Sequence, residues 1–196
     1  MSFAPQIDEA VRQSVGIFEG MGIRYAIGGA VAMAFDGYLR GTRDVDVLIL
    51  LPALRSQQLA DAFNAAGFRM RDEADNAVPV NVTEMVKWSR DIGHFRVWWN
   101  EIKVEVFTPR VPLQDAVLQR RVQVTLGDES LWITTAEDLI LLKMIFHRSK
   151  DLEDVRRLIA ANLLSLDRGY IESWIPKTLS DGVGEELRGM LQAAGA

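Results

Sequence analysis

The spacing of apolar residues along the chain predicts short strands and amphipathic helices. In the first segment, Pro5 to Glu19, apolar side chains recur every three or four positions, as on one face of a helix. The segment Asp44 to Leu50 begins with alternating residues and ends as an apolar run, which predicts a buried strand. Further strands are predicted at Ile23 to Ile27, Phe68 to Arg71, His94 to Trp99, Ile102 to Phe107, 121–126 and 131–133. Further helices are predicted at Ala30 to Phe35, Ala53 to Ala66 and Leu113 to Arg120.

The second half of the chain has a different pattern. From Thr135 onward it is helical in spacing, and the predicted helices lie near 135–148, 151–163, 167–176 and 181–193. Residues 72–92 are polar with little periodicity, which predicts a long loop. We therefore predict an α/β (α+β) fold in which a sheet-containing core, residues 1–133, precedes a helical C-terminal subdomain, residues 134–196.

Composition and charge narrow the classes of function. The 196 residues include 22 Lys and Arg against 27 Asp and Glu, a net charge of −5, which argues against a broad grip on nucleic-acid backbone. The chain has no cysteine, so disulfides, thiolate metal sites and a cysteine nucleophile are excluded. The N-terminus lacks the basic start and apolar run of a secretory signal, and Leu139 to Phe146 is too short to span a bilayer. These features predict a cytoplasmic protein without membrane association.

Three features point to metal-assisted phosphoryl chemistry. Asp44 and Asp46 are two positions apart on a strand, so both side chains leave the same face, where a divalent cation would relieve their repulsion. Gly28 and Gly29 follow a predicted strand and open a helix, where backbone N–H groups can approach a phosphate. Glu105 is the only acidic residue of the predicted strand Ile102 to Phe107, in which Lys103 is the only basic residue and the others are apolar. The alternatives are a solvent-facing aspartate pair, a ligand-free tight turn, and a Glu105–Lys103 ion pair.

Lys143 stands out in the second half because Leu139 to Phe146 is otherwise wholly apolar. Its ammonium group must reach water or meet an anion. A nucleotide phosphate is one such anion, and a salt bridge to Asp151 or Asp154 is the other.

These residues resemble the nucleotidyltransferase superfamily that includes DNA polymerase beta. That superfamily combines a glycine turn, a carboxylate pair on the next strand and a third carboxylate on a later strand. The resembling strings are Ile27-Gly28-Gly29-Ala30, Arg40-Gly41-Thr42-Arg43-Asp44-Val45-Asp46-Val47 and Val104-Glu105-Val106-Phe107. The resemblance implies a nucleotidyltransferase-fold mixed sheet. It also implies Mg²⁺ or Mn²⁺ at Asp44, Asp46 and Glu105, and nucleotide contacts from Gly28, Gly29, Thr42, Arg43 and Lys143.

A second likeness lies further along the chain. Residues 135–143 and 148–155 resemble a segment of abortive-infection nucleotidyltransferase toxins, which belong to type IV toxin-antitoxin systems. In that group a helix lysine and a downstream aspartate are functional. These map to Lys143 and to Asp151 or, as the alternative, Asp154.

We therefore expect a metal-dependent nucleotidyltransferase that moves a nucleoside monophosphate from a nucleoside triphosphate such as ATP to an acceptor hydroxyl. The resemblance implies an acceptor RNA, such as a tRNA end, or an acceptor protein, and an antitoxin partner. The alternatives are a small-molecule (antibiotic) nucleotidyltransferase and a catalytically inactive module that binds nucleotide or a partner. The expected catalytic residues are Asp44, Asp46, Glu105, Lys143 and Asp151.

Overall fold

The computed structural model describes residues 3–195; Met1, Ser2 and Ala196 lie outside the described residues. The strands are β1 (Arg24–Ile27), β2 (Asp44–Leu50), β3 (Met70–Arg71), β4 (Ala77–Val78), β5 (His94–Trp99), β6 (Ile102–Phe107), β7 (Val122–Leu126) and β8 (Glu129–Ile133). The helices are α1 (Pro5–Gly20), α2 (Gly29–Phe35), α3 (Ser56–Ala65), α4 (Val82–Ile92), α5 (Pro112–Arg120), α6 (Ala136–Phe146), α7 (Ser149–Asn162), α8 (Arg168–Thr178) and α9 (Asp181–Ala194). A short 3₁₀ turn, Ala53–Arg55, precedes α3.

Six of the strands form one mixed sheet in the order β5-β6-β2-β1-β8-β7, while β3 and β4 form a separate hairpin. Strand β2 pairs antiparallel with β1 and parallel with β6, so it lies between them. The predicted α/β fold with a mixed sheet and a helical C-terminal part is confirmed. The boundary at residue 133 between a core and a subdomain stays a prediction.

Period-two alternation decides which side chains of the central strands are buried. Val45 and Val47 of β2 and Val104 and Val106 of β6 have no solvent exposure. The residues between them leave the opposite face, because successive side chains of a strand alternate. That second face of the two strands carries the acidic residues.

The buried aromatic side chains join α1 and α3 to the sheet. The ring of Phe63 makes edge-to-face contacts with Phe18, Phe68 and Phe95, at centroid distances of 6.1, 5.0 and 6.2 Å. Such contacts add about 0.5–1.5 kcal/mol per pair beyond the area they bury. They pack α1 and α3 together and against β5 of the sheet.

One sequence prediction is wrong: residues 72–92 are not a long loop. Residues 77–78 pair with β3, and Val82–Ile92 forms helix α4. The Asn81 side chain caps that helix by accepting the N–H groups of Thr83 and Glu84, and Gly93 ends it at a φ of 81°. Met85 is the one fully buried side chain of the helix, although Val82, Met85, Trp88 and Ile92 recur at helical spacing.

The chain beyond β8 consists of helices α6 to α9 within the described residues. Helix α6 packs against α2, α7 and α8. Because α2 begins at Gly29, the C-terminal helices contact the part of the core that follows the glycine turn. Between residues 3 and 195, no helix has both the length and the apolar character needed to cross a membrane.

Candidate active site

A cleft of about 560 Å³ opens where the acidic face of β2 and β6 meets helices α6 and α7. Seven basic side chains and four carboxylates line it, so its wall carries three more positive than negative charges although the whole chain is acidic. The basic residues are Arg40, Arg43, Arg96, Lys103, Lys143, Arg148 and Lys150. The carboxylates are Asp44, Asp46, Glu105 and Asp151.

Asp44 begins β2 and is oriented by its neighbours. The Thr42 hydroxyl lies 2.7 Å from Asp44 Oδ1, to which it donates, and accepts the Asp44 N–H at 3.2 Å. Lys103 Nζ lies 3.4 Å from Asp44 Oδ2. Burial works to raise the pKa of Asp44, but the Thr42 hydrogen bond and the Lys103 charge outweigh it and hold the pKa below its usual value. Asp44 is therefore ionised at neutral pH.

Asp46 lies directly against the glycine turn. The Gly28 N–H donates to the Asp46 carbonyl at 2.8 Å, and Gly29 has a φ of 54°. A Cβ atom placed on Gly29 would overlap the Asp46 carboxylate. The glycines therefore make room for Asp46, and the Gly28 N–H is already used.

The Asp46 carboxylate is short of partners. It accepts no hydrogen bond and forms no ion pair with any residue between 3 and 195. Burial, together with repulsion from Asp44 and Glu105, raises its pKa to about 6. A carboxylate in this situation gains stabilisation from any cation that enters the cleft.

Glu105 lies beside Asp46, because β2 and β6 pair in register with Asp46 opposite Glu105 and Asp44 opposite Lys103. Its side chain is 15% exposed on the cleft face, so it is less buried than the strand's apolar pattern suggests. Arg96 Nε lies 2.6 Å from Glu105 Oε1, and Lys103 Nζ lies 3.7 Å from the same oxygen. The ion pair with Lys103 is thus present, although Arg96 is the nearer cation.

The acidic face fits a divalent cation in part. Asp44 and Asp46 offer carboxylate oxygens on one face, which suit Mg²⁺ or Mn²⁺, and Asp46 has no competing donor. No set of three acidic or histidine side chains within the described chain is grouped closely enough to hold a metal ion. Lys103 contacts both Asp44 and Glu105. Glu105 can therefore join a metal site only if it exchanges its contacts with Lys103 and Arg96.

Lys143 faces the cleft from α6 but is already paired. Its Nζ atom lies 2.6 Å from Asp154 Oδ2 and 3.7 Å from Asp151 Oδ1. Asp154 also contacts Arg40, at 3.2 Å from its Nε. The salt-bridge alternative for Lys143 is therefore present in the structure, and a phosphate contact stays a prediction.

Asp151 belongs to the first turn of α7 and is 1% exposed. Burial raises the pKa of Asp151, but the Arg148 guanidinium, at 2.6 Å from Oδ2, and the Lys143 charge lower it below its usual value overall. The carboxylate also accepts the Arg148 N–H at 3.3 Å. These contacts make Asp151 an ionised anchor for Arg148 in the cleft wall.

Arg43 and Lys150 differ from the other cleft cations. Both are exposed, and neither forms an ion pair within residues 3–195. Arg43 was predicted from the sequence as a nucleotide contact, whereas Lys150, Arg96, Arg148 and Arg40 were not predicted as site residues. Arg40, Arg148 and Lys150 lie within the strings that resemble nucleotidyltransferases, but a basic residue becomes recognisable as a cleft residue only when its strand or helix is placed.

No family model matches the sequence, and no curated protein matches it. Solved structures do match. An antigenic nucleotidyltransferase-like protein from Paracoccidioides brasiliensis superposes with a TM-score of 0.53 at 16% identity, covering 97% of this chain and 94% of that one. The solution structure of the antibiotic-resistance factor ANT(2'')-Ia gives 0.57 at 13% identity, with coverage of 95% and 94%. ANT(2'')-Ia in complex with adenylyl-2''-tobramycin gives 0.55 at 13% identity, with coverage of 93% and 97%.

These matches extend over almost the whole of each chain. At such low identity they concern the arrangement of strands and helices. The chain therefore has the nucleotidyltransferase fold.

Proposed function

We propose that this protein is a metal-dependent nucleotidyltransferase. The observation that carries the proposal is the placement of Asp44 and Asp46 on one strand face, against the Gly28-Gly29 turn and beside Glu105, inside a cleft with excess positive charge. Phosphoryl transfer needs this combination, since a nucleoside triphosphate is held by cations and its developing charge must be neutralised.

In the proposed reaction the acceptor hydroxyl oxygen forms a bond to the α-phosphorus of the triphosphate. The bond from that phosphorus to the bridging oxygen breaks, and pyrophosphate leaves. Asp44 and Asp46 would hold Mg²⁺ or Mn²⁺, which when bound supplies charge neutralisation at the phosphates. Glu105 would accept the hydroxyl proton after it releases Lys103 and Arg96.

Arg43 and Lys150 support the proposed triphosphate site because neither forms an ion pair with a carboxylate of residues 3–195. Arg148 is held by Asp151 in the same wall. Lys143 and Asp151 would shape this wall, and Thr42 would orient Asp44. Gly28 and Gly29 were expected to hold phosphates; we propose instead that they serve Asp46.

A small molecule is the second candidate acceptor, beside the RNA or protein acceptor predicted from the sequence. ANT(2'')-Ia, which shares the fold along nearly its whole length, was solved with adenylyl-2''-tobramycin, a nucleotidylated small molecule. The excess positive charge of the cleft favours an anionic acceptor over a polycationic one. The antitoxin partner stays a prediction.

The test is transfer of label from α-³²P-labelled nucleoside triphosphates, with Mg²⁺ or Mn²⁺, to total tRNA, protein or aminoglycosides in separate reactions. We expect one acceptor to gain label, and Asp46→Asn to reduce the rate by about 10³, since metal-assisted charge stabilisation contributes several kcal/mol. Asp61→Asn, which changes an exposed aspartate on α3, is the matched control. Transfer that survives in Asp46→Asn at the control rate would exclude this mechanism.

A further inference from the structure

Residues 36–43 join the helix that follows the glycine turn to the strand that begins with Asp44, and we call them the connecting segment. They form no helix or strand. The last part of the segment lines the cleft with Arg40, Gly41, Thr42 and Arg43. Its position therefore sets where Thr42 and Arg43 lie relative to Asp44.

Helix α7 contacts the connecting segment at three successive points. Asn162 Nδ2 donates to the Asp36 carbonyl at 2.8 Å. A Cβ placed on Gly37, which has a φ of 85°, would lie 3.5 Å from Ala161 Cβ, so the backbone runs close along the helix. Asp154 then contacts Arg40, at 3.2 Å from Nε and 3.4 Å from Nη2.

Of these three contacts, the one with Asp154 combines burial with charge. Asp154 is 3% exposed, and it lies outside the cleft lining while Arg40 lies within it. Its second partner, Lys143, belongs to α6. A buried carboxylate that holds cations from two other parts of the chain fixes their relative positions, because separating either cation leaves a buried charge uncompensated.

We propose that Asp154 is a positioning residue: through Arg40 it holds the connecting segment, so that Thr42 orients Asp44 and Arg43 meets the nucleotide. The effect on nucleotide binding rests on the proposed function. The effect on the segment itself does not, because the contacts between α7 and residues 36–40 exist in the protein alone.

The test compares Arg40→Met and Asp154→Asn with Arg157→Met. Arg157 is an exposed arginine on α7 that pairs with Glu153, so its replacement is the same chemical change away from the connecting segment. Hydrogen–deuterium exchange of the amides of residues 37–43 is measured by mass spectrometry, together with KM and kcat for the nucleoside triphosphate.

We expect faster exchange in residues 37–43 for Arg40→Met and Asp154→Asn, and a KM raised by about tenfold with a smaller change in kcat. Arg157→Met should match the wild type. Because Asp154 does not line the cleft, an equal KM effect from Asp154→Asn separates positioning from direct contact by Arg40. Should Asp154→Asn fail to fold, Arg40→Met still decides the exchange result.

Exchange or KM values in Arg40→Met that equal those of Arg157→Met overturn the proposal. If the wild-type protein transfers no nucleotide, the proposed function fails on its own. The exchange measurement then still decides whether α7 holds the connecting segment.

Discussion

Two groups of charged side chains lie in or next to the cleft, and they differ in how far their ion-paired carboxylates are buried. The sheet cluster consists of Asp44, Asp46, Arg96, Lys103 and Glu105. The helix cluster consists of Arg40, Lys143, Arg148, Asp151 and Asp154. In the sheet cluster the side chain of Asp44 is 41% exposed and that of Glu105 15%, whereas in the helix cluster Asp151 is 1% and Asp154 5% exposed.

The difference in burial indicates that the two clusters have different roles, one in the reaction and one in holding the fold. Water screens the ion pairs of the sheet cluster, so a divalent cation or a substrate phosphate can replace a partner at small cost. In the helix cluster the Lys143–Asp154 pair is dry, so breaking it leaves a charge without solvent, whereas Arg40 and Arg148 are 34% and 57% exposed. We infer that the sheet cluster exchanges partners during turnover while Lys143 and Asp154 keep theirs.

The largest loss of unfolding free energy is expected when a carboxylate of the helix cluster is neutralised, and the same change in the sheet cluster gives the comparison. Asp154→Asn leaves Lys143 buried with only Asp151, at 3.7 Å, to balance it. We expect the free energy of unfolding to fall by about 3 kcal/mol. Glu105→Gln, whose cation partner Arg96 is half exposed, should lower it by less than about 1 kcal/mol. Urea unfolding at pH 7 measures both.

A double variant sharpens this comparison. Lys143→Met with Asp154→Leu replaces the buried pair by apolar groups and should recover part of the loss, because a buried ion pair is often no more stable than its apolar replacement. Arg40 also loses its partner in this variant, but it is 34% exposed and can reach water. Equal losses for Asp154→Asn and Glu105→Gln would show that burial does not separate the two clusters.

A smaller loss of unfolding free energy is expected at the glycine turn, where Gly29 packs tightly against Asp46 of the sheet cluster. Gly29→Ala places a methyl group on the Asp46 carboxylate at a φ of 54°. Gly22→Ala has a similar φ of 59° but no heavy atom within 4 Å of the new Cβ, so it is the matched control for backbone strain. The control should lose about 1–2 kcal/mol of unfolding free energy from the left-handed backbone.

Gly29→Ala should lose more than Gly22→Ala, because Asp46 must move as well. It should also reduce nucleotide transfer, whereas Gly22→Ala should leave transfer unchanged. Thermal unfolding and the labelled-triphosphate assay measure the two effects. Identical stability losses with normal transfer in both variants would mean that Asp46 does not need the space that Gly29 provides.

The sheet cluster could be largely predicted from the sequence because a strand alternates. Period two places Asp44 and Asp46 on one face, and Lys103 and Glu105 on one face of a second strand. That these two strands are parallel neighbours, with Asp46 opposite Glu105, depends on the order of the whole sheet. The apolar pattern within one strand does not predict the order of the strands in the sheet.

The helix cluster could not be predicted in the same way. The sequence offered Asp151 and Asp154 as alternative partners for Lys143, and the packing of α7 against α6 brings Asp154 to 2.6 Å and Asp151 to 3.7 Å from its Nζ atom. Arg40 joins from 114 positions away along the chain. The missed helix α4 is a different case, since Asn81 and Gly93 are recognisable cap residues that a reading of apolar spacing alone overlooks.

The last expected effect is a change with pH, and it concerns Asp36, a partly buried carboxylate that forms no ion pair within residues 3–195. Its Oδ2 atom is buried without a hydrogen-bond partner in the described chain. Burial raises its pKa from 3.8 to about 7, with a further contribution from the Glu137 charge. The folded protein therefore keeps a proton on Asp36 at a pH where the unfolded chain has lost it.

The stability that this proton contributes is complete below about pH 4 and is lost as the pH rises to about 7. Asp36→Asn removes the titration, so the difference in melting temperature between variant and wild type should grow from pH 4 to pH 7 in favour of the variant, and then level off. Thermal unfolding at half-unit steps from pH 4 to 8 measures it. A difference that stays constant over this range would mean that Asp36 titrates alike in the folded and unfolded chains, and that burial without a cation has no cost at this position.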